Sequence, residues 1–394
     1  MMLLARHQGF PQARLVRVTM PILLILGLYG CATRLPEDIA LQHSPQQLVL
    51  ASEQFVVAED LSIPSPEEVL ALDDEMRAFL ADIVEHSVSD KAIMVNLLDR
   101  LLISGPYVLR YDNLKTYTAR ETFHAGEGNC LSFTNLFVAL ARSAGLKVYF
   151  QEIKVPHNWE QQGATWMYNR HINARVDLEE HGEFVVDFNF TPMRDEFHQR
   201  RISDEAALSQ FYNNMGVHWM MAERYGLSYL NLREAISMSS NRAYFWTNLG
   251  VLYSRVGDDS RAESAWLHAV SVKNEPSAAS NLARYYQRVG NEKHAAYFQE
   301  EVRRFRHRNP YYLYKTAESA YHAGDYQESI STLEQAVRIR DNEEQFYRLL
   351  GLNYIEIGDV DQAREAMEKA SQYAVSDTSR RSYNRKLELL EGTE

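Results

Sequence analysis

The sequence predicts an α+β core, in which a helical lobe precedes an antiparallel sheet, followed by an all-α solenoid of paired helices. Three observations carry this expectation. A glycine turn leads into an apolar helix at Cys130, two strand-like runs of alternating character follow it, and from about residue 209 the chain recurs with a period close to 34 residues. With 394 residues there is room for two or three domains, and a hydrophobic content of 45% is ordinary for a globular chain.

The first element is a targeting signal. Arg6, Arg14 and Arg17 precede the apolar run Val18–Gly30, which is shorter than the ~20 residues a spanning helix needs, so residues 1–30 are expected to be a signal peptide. The ending Leu28-Tyr29-Gly30-Cys31 resembles the lipobox of bacterial lipoproteins. That resemblance implies cleavage before Cys31 and lipidation of its sulfur. Ala32, in place of an aspartate, implies an anchor in the outer membrane facing the periplasm. Residues 31–64 are proline-punctuated and read as a lipid-anchored spacer.

Residues 65–200 form the expected α+β domain, which holds the candidate catalytic residues. Ser65-Pro66-Glu67-Glu68 has the pattern of a capping box and starts a helix with the stripe Val69, Leu72, Met76, Phe79, Leu80 and Ile83. A second helix carries Ile93, Met94, Leu97, Leu98, Leu101 and Leu102. Then comes Gly126-Glu127-Gly128-Asn129-Cys130, with Phe133, Leu136, Phe137 and Leu140 at helical spacing and Gly145 closing the segment. A sulfur at a helix start lies where unpaired N–H groups and the helix dipole favour the thiolate. In His171–Asp177, Ile172, Ala174 and Val176 share one face and leave His171 on the other with Asn173 and Arg175. In Phe184–Phe190, Asp187 points away from the aromatics and Val186, and Glu179–Glu183 between the two runs reads as a hairpin loop.

Cysteine, base and orienting carboxylate therefore occur in the order Cys130, His171, Asp187, and this order with Gly-x-Cys at a helix start resembles the transglutaminase-like superfamily of papain-type cysteine enzymes. The resemblance implies Cys130 as nucleophile, His171 as general base and acid, and Asp187 as the group that orients the imidazole. Many members carry Trp directly after the cysteine, where this chain has Leu131. For the oxyanion the Cys130 backbone N–H is one donor, and His124, placed shortly before the nucleophile, is the side-chain candidate. No Cys-x-x-Cys or His-Glu-x-x-His spacing occurs, so neither metal nor other cofactor is expected. With Cys31 acylated, Cys130 has no intramolecular disulfide partner, although exported proteins meet an oxidising compartment.

Residues 209–376 read as five repeats. The helix-break positions Glu223, Gly257, Gly290, Gly324 and Gly358 are spaced 34, 33, 34 and 34 residues apart, and Ala235, Ala269, Val302, Ala336 and Ala370 recur with them. Trp246-x-x-Leu249-Gly250-x-x-Tyr253 with Gly257, Ala262, Trp266 and Ala269 resembles the tetratricopeptide repeat. The resemblance implies a solenoid that binds a protein or peptide partner, and residues 377–394 form a terminal helix or tail. Tyr253, Tyr286 and Tyr354 fall on the packing pattern, and the solenoid is expected to fold as a unit apart from the catalytic core. The formal charge is −12, and becomes −15 without the first 30 residues, whose only charged side chains are three arginines. That balance excludes nucleic-acid binding driven by phosphate neutralisation. The reading is an exported cysteine-dependent amide hydrolase with a recruiting repeat domain. A catalytically silent periplasmic scaffold and an acyl-transferring transglutaminase are the alternatives.

Overall fold

Local capping dictates where the helices of the first lobe begin. In the computed structural model, which describes residues 35–391 apart from 37, 52, 54, 56–61, 105–108, 154–158, 163–164, 169–170, 189–198, 274 and 375, α1 (Pro45–Leu50) and α2 (Pro66–Val69) each start from a serine capping box. Ser65 Oγ accepts from the Glu68 N–H at 3.2 Å, and Glu68 Oε2 accepts from the Ser65 N–H at 2.7 Å. The stripe from Val69 to Ile83 was expected on one helix. It is split, because Asp73 adopts an extended backbone and caps a new start through the Met76 N–H, so α2 ends after one turn and α3 runs Asp74–Glu85. α4 (Asp90–Leu102) follows, capped by Ser89. Residues 1–30, expected to be a signal peptide, and Cys31 lie outside the described residues, as does His157.

The α+β core is built around one buried helix. β1 (Arg110–Tyr111) pairs in parallel with β2 (Glu127–Gly128), and α5 (Ala119–Ala125) lies between them in sequence. α6 (Cys130–Ser143) comes next, and every residue from Leu131 to Ala141 is buried. It packs on a four-stranded antiparallel sheet of order β7–β6–β3–β8. These strands are β3 (Lys147–Ile153), β6 (His171–Asp177), β7 (Glu183–Val186) and β8 (Gln199–Ile202), with the hairpin β4 (Trp159–Gln162) and β5 (Thr165–Tyr168) inserted between β3 and β6. The β6–β7 register places Asp177 opposite Glu183 and Ala174 opposite Val186, around a 3-10 turn at Glu179–His181 and Gly182.

Helix pairs complete the chain: α7 (Asp204–Met221) with α8 (Tyr225–Met238), α9 (Ala243–Arg255) with α10 (Asp259–Val272), α11 (Pro276–Arg288) with α12 (Glu292–Arg308), α13 (Pro310–Ala323) with α14 (Tyr326–Ile339), and α15 (Glu344–Glu356) with α16 (Val360–Gln372), ending on α17 (Asp377–Glu391). All five break positions turn with positive φ: 57° at Glu223, then 81°, 74°, 85° and 77° at Gly257, Gly290, Gly324 and Gly358. Glycine reaches this region without a Cβ penalty, which explains four of the five. At the helix crossings Ala235, Ala269, Ala336 and Ala370 are buried without residual exposure.

The hydrophobic core does not divide where the repeats begin. One continuous cluster runs from Leu48 through the α+β core to Phe298, and a second begins at Tyr311. The expected separation of core and solenoid near residue 209 is thus displaced into the solenoid, between α12 and α13. Two polar ties reinforce the joint. Arg142 makes a two-pronged contact with Asp204 at 2.5 and 2.9 Å, and the buried pair of Glu152 and Arg242 meets at 2.7 Å.

The described residues among 38–55 pack on the repeats instead of standing free as a spacer would. Leu48 and Phe55 are buried, Phe55 stacks on Tyr229 with ring centroids 4.4 Å apart, and Tyr229 and Tyr253 donate their hydroxyls to the carbonyls of Val49 and Leu48. His43 meets Ser260 at 2.9 Å, and Asp38 pairs with Lys293 at 2.6 Å and His294 at 3.1 Å. This segment is a strap across the first three repeats. Its apolar residues find partners only once α8 and α9 are folded beside it, which a proline-punctuated sequence does not disclose.

Candidate active site

Cys130 is the first residue of α6, and the chain ahead of it is held on several sides. Gly126 caps α5 at φ 63°. A Cβ on Gly128 would lie 2.7 Å from Ser132 Cβ, so the strand-to-helix turn closes only around glycine. Asn129 is the N-cap: its Oδ1 accepts from the Ser132 N–H at 3.0 Å, and its Nδ2 donates to Thr116 Oγ1 at 2.7 Å. With the Ser132 amide taken by this cap and that of Phe133 by the Asn129 carbonyl, the amides of Cys130 and Leu131 are the helix-end N–H groups with no intrahelical acceptor. Leu131 is buried. Cys130 is half-buried and carries a free thiol.

His171 opens β6 and is almost wholly buried. Its Nε2 donates to Asp187 Oδ2 at 2.6 Å. Asp187 stands directly beyond the last residue of β7 rather than within the strand. That geometry leaves the buried Nδ1 to face the Cys130 thiol. Burial by itself disfavours the imidazolium, but the Asp187 carboxylate and the Cys130 sulfur outweigh it and raise the His171 pKa to about 9. The three residues expected to act together are therefore gathered, with Cys130 and His171 on the wall of one cavity of about 1300 Å³.

Two site details differ from expectation. His124 does not line that cavity; its Nε2 is paired with Asp73 at 2.6 Å, a carboxylate that sequence order gives no reason to place there. Contrary to expectation, this pairing does not place it as an oxyanion donor. Asn173, noted only as sharing the face of His171, donates its Nδ2 to Asp187 Oδ2 at 3.1 Å and is fully buried. Period-two spacing from His171 was the signal that could have assigned it. The rest of the cavity wall was not foreseen: it includes Asn213, His218, Asn248, Arg255, Arg284 and Tyr312 from the first helices of successive repeats. His181 lies exposed in the 3-10 turn away from the site.

The family model for the transglutaminase-like superfamily matches residues 77–176, which contain Cys130 and His171 and stop short of Asp187. A tetratricopeptide repeat model matches residues 345–374, the α15–α16 pair. This chain joins a transglutaminase-like core domain to tetratricopeptide repeats. No curated protein matches it. Similar solved structures include MamA, 16% identical over 43% of this chain and 93% of that chain with a TM-score of 0.24, and a MamA fragment from Desulfovibrio magneticus, 18% identical over 44% and 98% with a TM-score of 0.24. YrrB, described as having an unusual peptide-binding site, is 12% identical over 45% of this chain and 92% of that chain, with a TM-score of 0.24. At such scores these likenesses carry no argument. The transglutaminase-like core rests on its family model, and the tetratricopeptide array on its own model and the recurring helix pairs.

Proposed function

We propose that the chain is a cysteine-dependent amide hydrolase whose tetratricopeptide repeats recruit a protein or peptide substrate. The observation that carries the reading is the ordered Asp187–His171 pair, with the remaining imidazole nitrogen buried beside the helix start that bears Cys130. In this mechanism Cys130 Sγ adds to the amide carbonyl, and the oxyanion is held by N–H groups at the start of α6. His171, an imidazolium at neutral pH, favours the thiolate and then protonates the leaving amine as the C–N bond breaks. Water, deprotonated by the now neutral imidazole, adds to the thioester and releases the acid and the thiol. Asp187 holds the ring in orientation and stabilises its charge, and Asn173 holds Asp187. Hydrolysis is preferred to acyl transfer because a transferase must shield its thioester from water. The reading includes export, with residues 1–30 as signal peptide and Cys31 as the lipid-bearing residue on the periplasmic face of the outer membrane.

The test measures alkylation of Cys130 by iodoacetamide at pH 6 in the full chain and in His171→Ala. Loss of the imidazolium is expected to slow labelling by about tenfold or more. Equal rates in the two proteins would remove the catalytic pair and leave a silent scaffold.

A further inference from the structure

The Cys130 cavity extends along the inner face of the solenoid to α13, and the charges on its wall are opposed to those of the chain. The protein carries a formal −12. The described wall of the cavity nevertheless holds Lys115, Arg255, Arg284, Arg288 and Arg306 against two carboxylates, Asp112 and Glu275. Lys115 is spent near the nucleophile, paired with Glu127 and Asp112, and Arg288 is tied to Asp259 at 2.5 Å. Arg255, Arg284 and Arg306 make no ion pair with a carboxylate among the described residues: Arg284 donates to Asn281, and Arg306 lies over the Tyr312 ring. All three are exposed, so no buried contact accounts for their placement. Asn213, Asn248 and Asn281 also line the cavity; Asn248 donates to Asn213 at 2.8 Å and Asn281 Oδ1 accepts from Arg284, so it is the Asn248 carbonyl and the Asn281 amino group that suit the backbone of an extended chain. None of the described strap residues lines the cavity.

We infer that this groove binds an acidic polypeptide segment of the substrate whose scissile amide reaches Cys130, so that recognition and cleavage share one continuous channel. The inference deepens the hydrolase reading and rests on it for the cleavage step only. Low-dielectric walls of one sign concentrate field within a cleft and attract the opposite charge. From α7 to α13 there are three helix-to-helix steps of roughly 9 Å, about 27 Å in all, which an extended chain spans in about eight residues.

The experiment uses full-length Cys130→Ala and two fluorescein-labelled peptides of equal length, identical except that one carries four glutamates and the other four glutamines. The glutamate peptide should bind about tenfold more tightly at low salt, and added sodium chloride should weaken it. Arg255→Glu with Arg284→Glu should abolish the preference. These positions are exposed, and an unchanged melting temperature verifies that the fold is retained. In the wild type the glutamate peptide should also protect Cys130 from iodoacetamide, and protection should weaken in the double variant. Equal affinity for the two peptides, or binding without protection, overturns the inference. Because binding is read on a protein without its thiol, an inert cysteine would sink the hydrolase reading while leaving the acidic preference measurable.

Discussion

Repeats one to three and repeats four to five share a consensus but not a role. Tyr253, Tyr286 and Tyr354 each stand four residues before their turn glycine. Tyr253 is fully buried and donates to the strap at Leu48, Tyr286 donates to Glu263, and Tyr354 is only half-buried. The first three repeats belong to the hydrophobic cluster of the transglutaminase-like core and supply most of the wall of the Cys130 cavity, to which α13 of the fourth adds Tyr312, whereas the last two form a cluster of their own. A repeat consensus thus specifies how each helix pair closes on its neighbour. What lies against the outer edges of the pair is settled by other parts of the chain.

The largest expected effect separates these regions by truncation. Ending the chain after residue 208 removes the partners of Leu48 and Phe55 and the Arg242 partner of buried Glu152, so the fragment should lose cooperative unfolding. Ending it after residue 309 cuts between the two clusters and should leave cooperative unfolding and Cys130 alkylation in place. Thermal denaturation followed by circular dichroism decides this, and a cooperative 1–208 fragment would show that the shared cluster is contact without coupling.

The next effect is confined to the first region and depends on pH. The His171 pKa is raised to about 9 in the fold from an ordinary value near 6.5. Its stabilisation is therefore fully present below pH about 6.5 and lost as pH rises through about 9, a change on the order of 3 kcal/mol. Melting of the shared cluster should fall between pH 6.5 and 9.5, and Asp187→Asn should flatten that fall by removing the carboxylate that holds the proton. A profile equally steep in the variant would assign the dependence to another group.

The smallest effect compares equivalent glycines, each seven residues before its turn. A Cβ on Gly250 would lie 2.5 Å from Trp266 Nε1, within an indole that donates to the Thr247 carbonyl, while at Gly351 it would meet the mobile end of Met367 at 2.7 Å. Gly250→Ala should cost about 2 kcal/mol and Gly351→Ala less than about 1 kcal/mol in denaturant unfolding, because a thioether can move and an anchored ring cannot. Equal costs would mean that the two regions yield alike.

Periodic and local features were legible without coordinates. The five turn positions, the capping box at Ser65, the helix start at Cys130 and the alternation that sets His171 apart from Ile172 follow from spacing and backbone chemistry over a few residues. Asp187 was reachable for the same reason, since a hairpin brings nearby strands into register. Contacts between distant segments were not: Asp73 drawing His124 from the site, the strap across α8 to α12, and the repeat arginines on the wall of the cavity join residues separated by tens to hundreds of positions. Hydrogen bonds within a turn or strand pair are constrained by the neighbouring backbone, so sequence alone determined the paired-helix array and the candidate trio. Burial and charge placement depend on which surfaces meet after the chain has closed, and only the tertiary structure decided that the nucleophile faces the inside of the first three repeats.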